Sequence, residues 1–240
     1  MTNMIRSVVD KINFRIRQAT PGKKKFRQTS FSQCGEDLLI DYIFRLRGVS
    51  MPSYLDIGAN DPFFLNNTAI FYLRGCRGIN IDANPELVKR FEKERKGDLN
   101  LNAGIDDRHG ALDFYIMTDN TLSTFSKEEC ETLVNSGHKL DTVKKIELFT
   151  VSEILDKYNS GRFPDLLTID VEGLDQKILQ SIDFSKEWPK IICVEAAEYS
   201  PIGAGARRTE LIDFLVSRGY YEYANTNLNA VMVKNEFWII

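Results

Sequence analysis

The chain has 240 residues, enough for one large domain with a substantial core and a short appendage. Its hydrophobic content of 43% and charged content of 27% are ordinary for a globular protein, and no apolar run approaches the roughly 18–20 residues that span a bilayer. The net charge of -3 conceals an asymmetry: residues 1–30 hold eight Lys/Arg against Asp10 alone, a head of +7 on a body of -10, which argues against broad nucleic-acid binding.

Residues 4–17 place Ile5, Val8, Val9, Ile12 and Ile16 on one helical face, with Arg6, Arg15 and Arg17 largely elsewhere. Pro21-Gly22 and the lysines that follow read as a linker, so residues 1–30 form a basic amphipathic segment and residues 31–240 the main domain. Phe31 to Leu46 is predicted helical, with Ser32 as its cap. From Pro52 onward strands alternate with helices. Tyr54–Ile57 is a short buried strand ending in Gly58-Ala59-Asn60, and residues 66–74 are predicted helical. Gly78–Asp82 is a second strand, and Pro85 opens a helix to about Lys93, since proline suits the first helical turn. Leu99–Ile105 is a third strand, and Asp107–Gly110 turns the chain into another over Ala111–Met117. Residues 118–148 are polar and read as a lid or insertion, with a helix from Lys127 to about Val134.

Ser152 is predicted to cap a helix over Glu153–Tyr158. Leu166–Asp170 is a fourth core strand, followed by a helix to Leu179, and Lys190–Glu195 a fifth. Thr209–Arg218 is helical, and Tyr220–Ala224 with Ala230–Lys234 forms a closing hairpin. Ile-, Val- and Leu-rich strands alternating with amphipathic helices imply an α/β fold with a mostly parallel sheet covered on both faces, ending in an antiparallel hairpin. Cys34, Cys76, Cys130 and Cys193 are scattered without a CxxC pair, and no apolar signal core opens the chain. A cytoplasmic protein with reduced thiols and no structural zinc is the expectation.

In open α/β sheets ligands bind beyond the carboxyl ends of the strands, where strand order reverses. The first strand ends in Asp56-Ile57-Gly58-Ala59-Asn60-Asp61-Pro62. Gly58 permits close ligand approach, and Asn60 tolerates the left-handed conformation where glycine would otherwise serve. An acid at this turn repels a pyrophosphate but suits the cationic amine of a methionine moiety. The GxGxxG spacing also fails, because positions 60 and 63 are Asn and Phe. Both features turn the reading from NAD toward S-adenosylmethionine (SAM). Asp82, 26 residues after Asp56, ends the second strand and can accept hydrogen bonds from both ribose hydroxyls.

The motifs together resemble the FkbM family of SAM-dependent methyltransferases over residues 31 to 196. They are Ser32–Asp37, Asp56–Pro62, Gly78–Pro85, Leu122–Ser126, Ile169–Gly173 and Cys193–Glu195. The resemblance implies a Rossmann-like class I methyltransferase fold with a seven-stranded sheet. It also implies SAM as donor, and a hydroxyl of a sugar, glycan or related natural product as acceptor. By the same resemblance Asp56, Gly58 and Asn60 line the methionine end, Asp82 and Ala83 hold the ribose, and Asn102 and Gly104 flank the adenine. Asp61 departs from the family pattern, where His is frequent.

Asp170, Glu172 and Glu195 stand at neighbouring strand ends and are the candidate catalytic acids, because transfer to a hydroxyl needs an aligned nucleophile and a group to take its proton. Clustered acids can alternatively hold a divalent cation that orients acceptor oxygens, or cap helices and anchor loops. His109, in a turn, and His138, in the polar insertion, read as solvated loop residues. The basic N-terminal helix can be a solvated appendage, a docking helix for another subunit, or a peripheral contact with the inner face of an anionic membrane. Two rival functions stay open, an NAD-dependent Rossmann oxidoreductase and a non-catalytic binding module.

Overall fold

A computed structural model describes residues 28–171, 173–197 and 205–239. The helix expected over residues 4–17 and its linker lie outside them. Among the described residues, seven strands form one sheet, in the spatial order 99–102, 78–82, 54–57, 166–169, 191–195, 229–234 and 220–225. They are β1 (Tyr54–Ile57), β2 (Gly78–Asp82), β3 (Leu99–Asn102), β7 (Leu166–Ile169), β8 (Ile191–Glu195), β9 (Tyr220–Asn225) and β10 (Asn229–Lys234). The first five run parallel, with Ile57 opposite both Ile81 and Ile169. β10 pairs antiparallel with both β8 and β9, as the closing hairpin requires. From β1 the sheet grows through β2 to β3, then resumes on the other side of β1 with β7. The strand order therefore reverses between β1 and β7.

Successive strand residues feed opposite faces. Leu55, Ile57, Leu167 and Ile169 pack with Ile154 and Leu155 of a helix over Val151–Tyr158, Ile178 and Leu179 of one over Asp175–Gln180, and Leu211 and Leu215 of one over Thr209–Ser217. On the other face Tyr54, Leu166, Ile191 and Cys193 meet Ile40, Ile43 and Phe44 of α1 (Glu36–Leu46) and Phe71 of α2 (Ala69–Arg74). Burial on both sides suits the apolar sequences of β7 and β8, whereas the edge strand β3 alternates Leu with Asn and has no buried residue.

Several boundaries differ from the sequence reading. The first helix begins at Glu36, not Phe31, because Gly35 adopts φ 89°, outside helical space. Ser32 still acts from outside the helix, its Oγ accepting from the backbone N–H groups of Gly35 and Asp37 at 3.1 and 3.3 Å. The second helix begins at Ala69, since Asn66 is engaged by the turn after β1. The cap of the helix over Val151–Tyr158 is Thr150, which forms a reciprocal capping box with Glu153; Ser152 lies inside the helix. Asn84 caps α3 (Pro85–Glu94), with proline in its first turn as expected.

Leu99–Ile105 is not one strand. It divides at Ala103, and β4 (Gly104–Ile105) leaves for a second sheet of order β4-β6-β5, with β5 over Gly110–Met117 and β6 over Leu140–Phe149. Gly104 lets β6 close in, since a Cβ there would stand 2.4 Å from Leu148 Cδ2. The polar segment 118–148 holds a short 3₁₀ turn (Asn120–Leu122), α4 (Lys127–Asn135) and most of β6. β6 was unforeseen because only Ile146 and Leu148 of its ten residues are buried. Cys76, Cys130 and Cys193 are buried free thiols and Cys34 is an exposed one.

Candidate active site

A cavity of about 710 Å³ opens over the carboxyl ends of β1, β2 and β7, where the strand order reverses. Gly58 forms its floor with φ 77°, and a Cβ there would lie 1.9 Å from the carbonyl oxygen of Asp170. Only glycine fits, and its bare backbone is open to a ligand. The N–H groups of Gly58 and Ala59 both donate to the carbonyl of Ile81, at 3.0 and 3.1 Å, so the turn is fastened to β2. Asn60 adopts φ 53°, the left-handed conformation expected of it.

Asp82 is gripped from two sides. One carboxylate oxygen accepts the Asn60 N–H at 2.8 Å and the other accepts the Asn84 N–H at 2.7 Å. Burial pushes its pKa up to about 6 against the pull of those donors, with a further push from Asp56. The clamp orients both oxygens at the cavity wall. Each retains a lone pair for a hydroxyl donor.

Gly58, Asn60, Asp82, Ala83 and Gly104 all line this cavity. Asp56 and Asn102 stand behind it. Asp56 is 5% exposed and accepts from Thr68 Oγ1 at 2.8 Å and Asn66 Nδ2 at 3.2 Å. Asn66 Nδ2 also donates to the carbonyl of Ala59, so this group braces the turn from beneath. Arg95, fully buried, binds Asn66 and Thr68 and pairs with Asp98 at 2.9 Å. Burial lifts the Asp56 carboxyl to about 6, although Arg95 and its hydrogen bonds act the other way. Asn102 Nδ2 donates to the carbonyls of Asp82 and Ala83, both at 3.0 Å, which fixes the end of β2.

The other half of the cavity is acidic. Asp170 follows β7 and is exposed to the cavity that it lines. Desolvation and the charges of Asp175, Glu195 and Asp56 push its pKa up to about 8, with Arg208 opposing. Glu195 ends β8 and stands 3.3 Å from Arg208 Nη2. Arg208 Nη1 is 3.1 Å from Asp175, whose other oxygen accepts the Val171 N–H at 3.0 Å. Arg208 thereby ties the ends of two strands together. Glu172 lies outside the described residues.

Asp106, Asp175, Lys177 and Arg208 were missed by sequence reasoning. Asp106 follows β4 and pairs with Lys177 at 2.6 Å, and both line the cavity. Its place just after a strand was a signal that could have found it; Arg208, in an irregular stretch, carried none. Among the described residues, no group of three or more His, Cys, Asp or Glu is placed to hold a metal ion. His109 is 53% exposed between Glu147 and Glu153, away from the cavity. His138 and Asp61 line a second cavity of about 610 Å³, where Asp61 pairs with Arg90 at 2.7 Å.

The donor half fits SAM: a bare glycine floor, a braced acid for ribose hydroxyls, and neighbouring acids for a cationic ligand. Among solved structures, the chain is similar to an FkbM methyltransferase from Methylobacillus flagellatus KT, at 11% identity and a TM-score of 0.42. That likeness covers 76% of this chain and 43% of the other, so the chain spans less than half of that relative. A candidate caffeoyl-CoA O-methyltransferase from Staphylococcus aureus matches at 11% identity and a TM-score of 0.47, over 95% of this chain and 92% of its own. A candidate O-methyltransferase from Klebsiella pneumoniae matches at 10% identity and a TM-score of 0.39, over 92% and 95%. None of these likenesses bears on substrate. No curated protein matches the chain. A profile of the methyltransferase FkbM domain matches residues 56–221, from the acid of β1 to the second residue of β9. That span exceeds half of the chain and contains Gly58, Asp82, Asp170 and Glu195; the protein belongs to the FkbM methyltransferase family.

Proposed function

We propose that this protein transfers the methyl group of SAM to a hydroxyl of a sugar, glycan or related natural product. The observation that carries the reading is Asp170, an acid open to the cavity at the end of β7, with its own backbone pressed against Gly58. In the reaction an oxygen–carbon bond forms and a carbon–sulfur bond breaks. Sulfur keeps the electron pair, and the hydroxyl loses its proton. SAM supplies the electrophilic methyl; the chain supplies alignment and a place for the proton.

Asp170 suits that task through its surroundings. Desolvation, and then the neighbouring acids, favour its protonated form, and a cation seated beside it favours the carboxylate. A donor-loaded crevice therefore holds a carboxylate where the empty one holds a proton at neutral pH. Glu195, fixed by Arg208, is the second acid within the same space. Glu172 joins them by sequence position alone.

Incubation with methyl-labelled SAM tests the acceptor class. The panel holds methyl glycosides, sugar nucleotides, a catechol and primary amines. Label is expected in an ether on a sugar oxygen. Label confined to amines, or to the catechol, overturns the sugar reading. On the same reading the enzyme works in the cytoplasm, with its basic N-terminal segment against the inner face of the membrane. Among the described residues, no helix is long and apolar enough to cross a membrane.

A further inference from the structure

The Ser32–Asp37 stretch lies apart in sequence from the donor-side residues, and the backbone N–H groups of its Cys34, Gly35 and Asp37 are all held by side chains of the same stretch. Asp37 accepts the Phe31 N–H at 2.7 Å and the hydroxyls of Ser30 and Ser32 at 2.6 and 2.9 Å. Ser32 Oγ in turn accepts the N–H groups of Gly35 and Asp37. Glu36, fully buried, accepts the Cys34 N–H at 2.8 Å with one oxygen. Its other oxygen accepts from Thr226 Oγ1 at 2.7 Å and Asn229 Nδ2 at 3.0 Å, which locks the stretch to the β9–β10 turn. Hydrogen bonding to Asn229, Thr226 and backbone holds the Glu36 carboxyl below its ordinary value despite its burial, the largest influence on it.

Two buried carboxylates are a large outlay for a surface turn, unless the turn must hold something still. Gln33, three residues before Glu36, is exposed and lines the cavity, as do Glu195, Leu228 and Asn229. Donor-side residues such as Asp82 and Gly104 belong to β2 and β4; Gln33 and Asn229 belong to elements remote from them in the chain. A primary amide offers donors and an acceptor together, which matches adjacent hydroxyls of a polyol better than a charged or apolar group. Holding such a group on a rigid bracket is how a site discriminates hydroxyl positions.

We propose that Gln33 is an acceptor-recognition residue, whose amide hydrogen-bonds a neutral polyhydroxylated ring in the acidic half of the cavity. The assignment rests on the glycan reading above. It makes the Ser32–Asp37 turn a part of the site, not a structural preface to the fold.

The test uses the full chain saturated with S-adenosylhomocysteine and a panel of methyl glycosides, with binding read by saturation-transfer NMR. Wild type is expected to bind at least one glycoside. Gln33→Ala is expected to weaken that binding at least tenfold, with S-adenosylhomocysteine affinity within twofold of wild type. Gln33→Glu, which keeps the length and loses the donors, is expected to fall between the two. A Gln33→Ala protein that binds the glycoside as wild type does overturns the role of Gln33 and leaves the glycan reading standing. A wild-type protein that binds none of the glycosides contradicts the glycan reading and this assignment together.

Discussion

Asp82 and Asp170 are both acids whose pKa values burial raises, and they differ in what surrounds them. Asp82 is oriented by two backbone donors and presents fixed acceptors. Asp82→Ala is expected to weaken SAM binding by about 1.5–3 kcal/mol, the range for hydrogen bonds to a charged group; calorimetry on the folded variant checks it, and unchanged affinity removes Asp82 from the ribose site. Asp170 is set first by desolvation and then by the charges of Asp175, Glu195 and Asp56, and that has a signature in stability. Its pKa is about 8 in the fold against 3.8 for the free side chain, so the folded state binds a proton that the unfolded chain releases. The stability this lends is complete at pH values below the lower figure and is lost as pH rises through the higher one. Asp170→Asn is therefore expected to melt above wild type at pH 8 without donor. After allowance for solvent at this open side chain the gain is about 1 kcal/mol, or roughly 2–4 °C, and the difference is expected to shrink toward pH 4. Equal melting at both pH values contradicts the raised pKa. At this scale the sequence was informative where the chemistry is local. The left-handed Asn60, the bare Gly58 and the strand-end Asp82 follow from turn preferences and spacing. Asp56 differs, because its removal from the cavity depends on Thr68, Asn66 and Arg95, which the chain brings together only on folding.

Elements buried on both faces were legible for the same reason that they are stable. β1, β2, β7 and β8 are almost wholly buried, and the aliphatic residues of β7 and β8 mark them by composition, while β1 and β2 carry Asp56, Asn80 and Asp82 among theirs. β6 is exposed along most of its length, and its pairing with β5 gives no apolar pattern to read. The start of α1 was misplaced because helix propensity across residues 31–35 is outweighed by the Gly35 conformation and by the bonds of Ser32 and Asp37. Caps are local and testable. Thr150 and Glu153 form a reciprocal box at the helix that covers Ile57 and Ile169. Thr150→Ala is expected to cost about 1 kcal/mol. The melting temperature is expected to fall by about 2–4 °C, with SAM affinity unchanged. A loss of SAM binding in a folded Thr150→Ala protein would show that the helix contributes to the site directly.

The whole molecule joins an acidic body to a basic head. Near an anionic surface each basic side chain can contribute about 1 kcal/mol, an attraction that fades within a Debye length. The full chain is expected to sediment with anionic but not neutral vesicles at low salt, and to lose that binding when residues 1–27 are removed. Absence of binding at low salt favours packing of the segment against the body or a second subunit. Within the body, the fold class and the parallel order of the sheet were legible because alternating strands and helices permit few topologies. The second sheet was not, since it depends on a chain that leaves the first sheet at Ala103. The central claim is that one crevice binds the methyl donor and carries the acid that handles the acceptor proton. Asp170→Asn with methyl-labelled SAM and an acceptor found in the sugar panel tests it most directly. Expected is a folded protein that still binds SAM, less tightly than wild type because the cation loses its carboxylate neighbour, with methyl transfer to oxygen at saturating SAM slowed by roughly 100-fold or more. Transfer at the wild-type rate, with the label on the same oxygen, would contradict the claim.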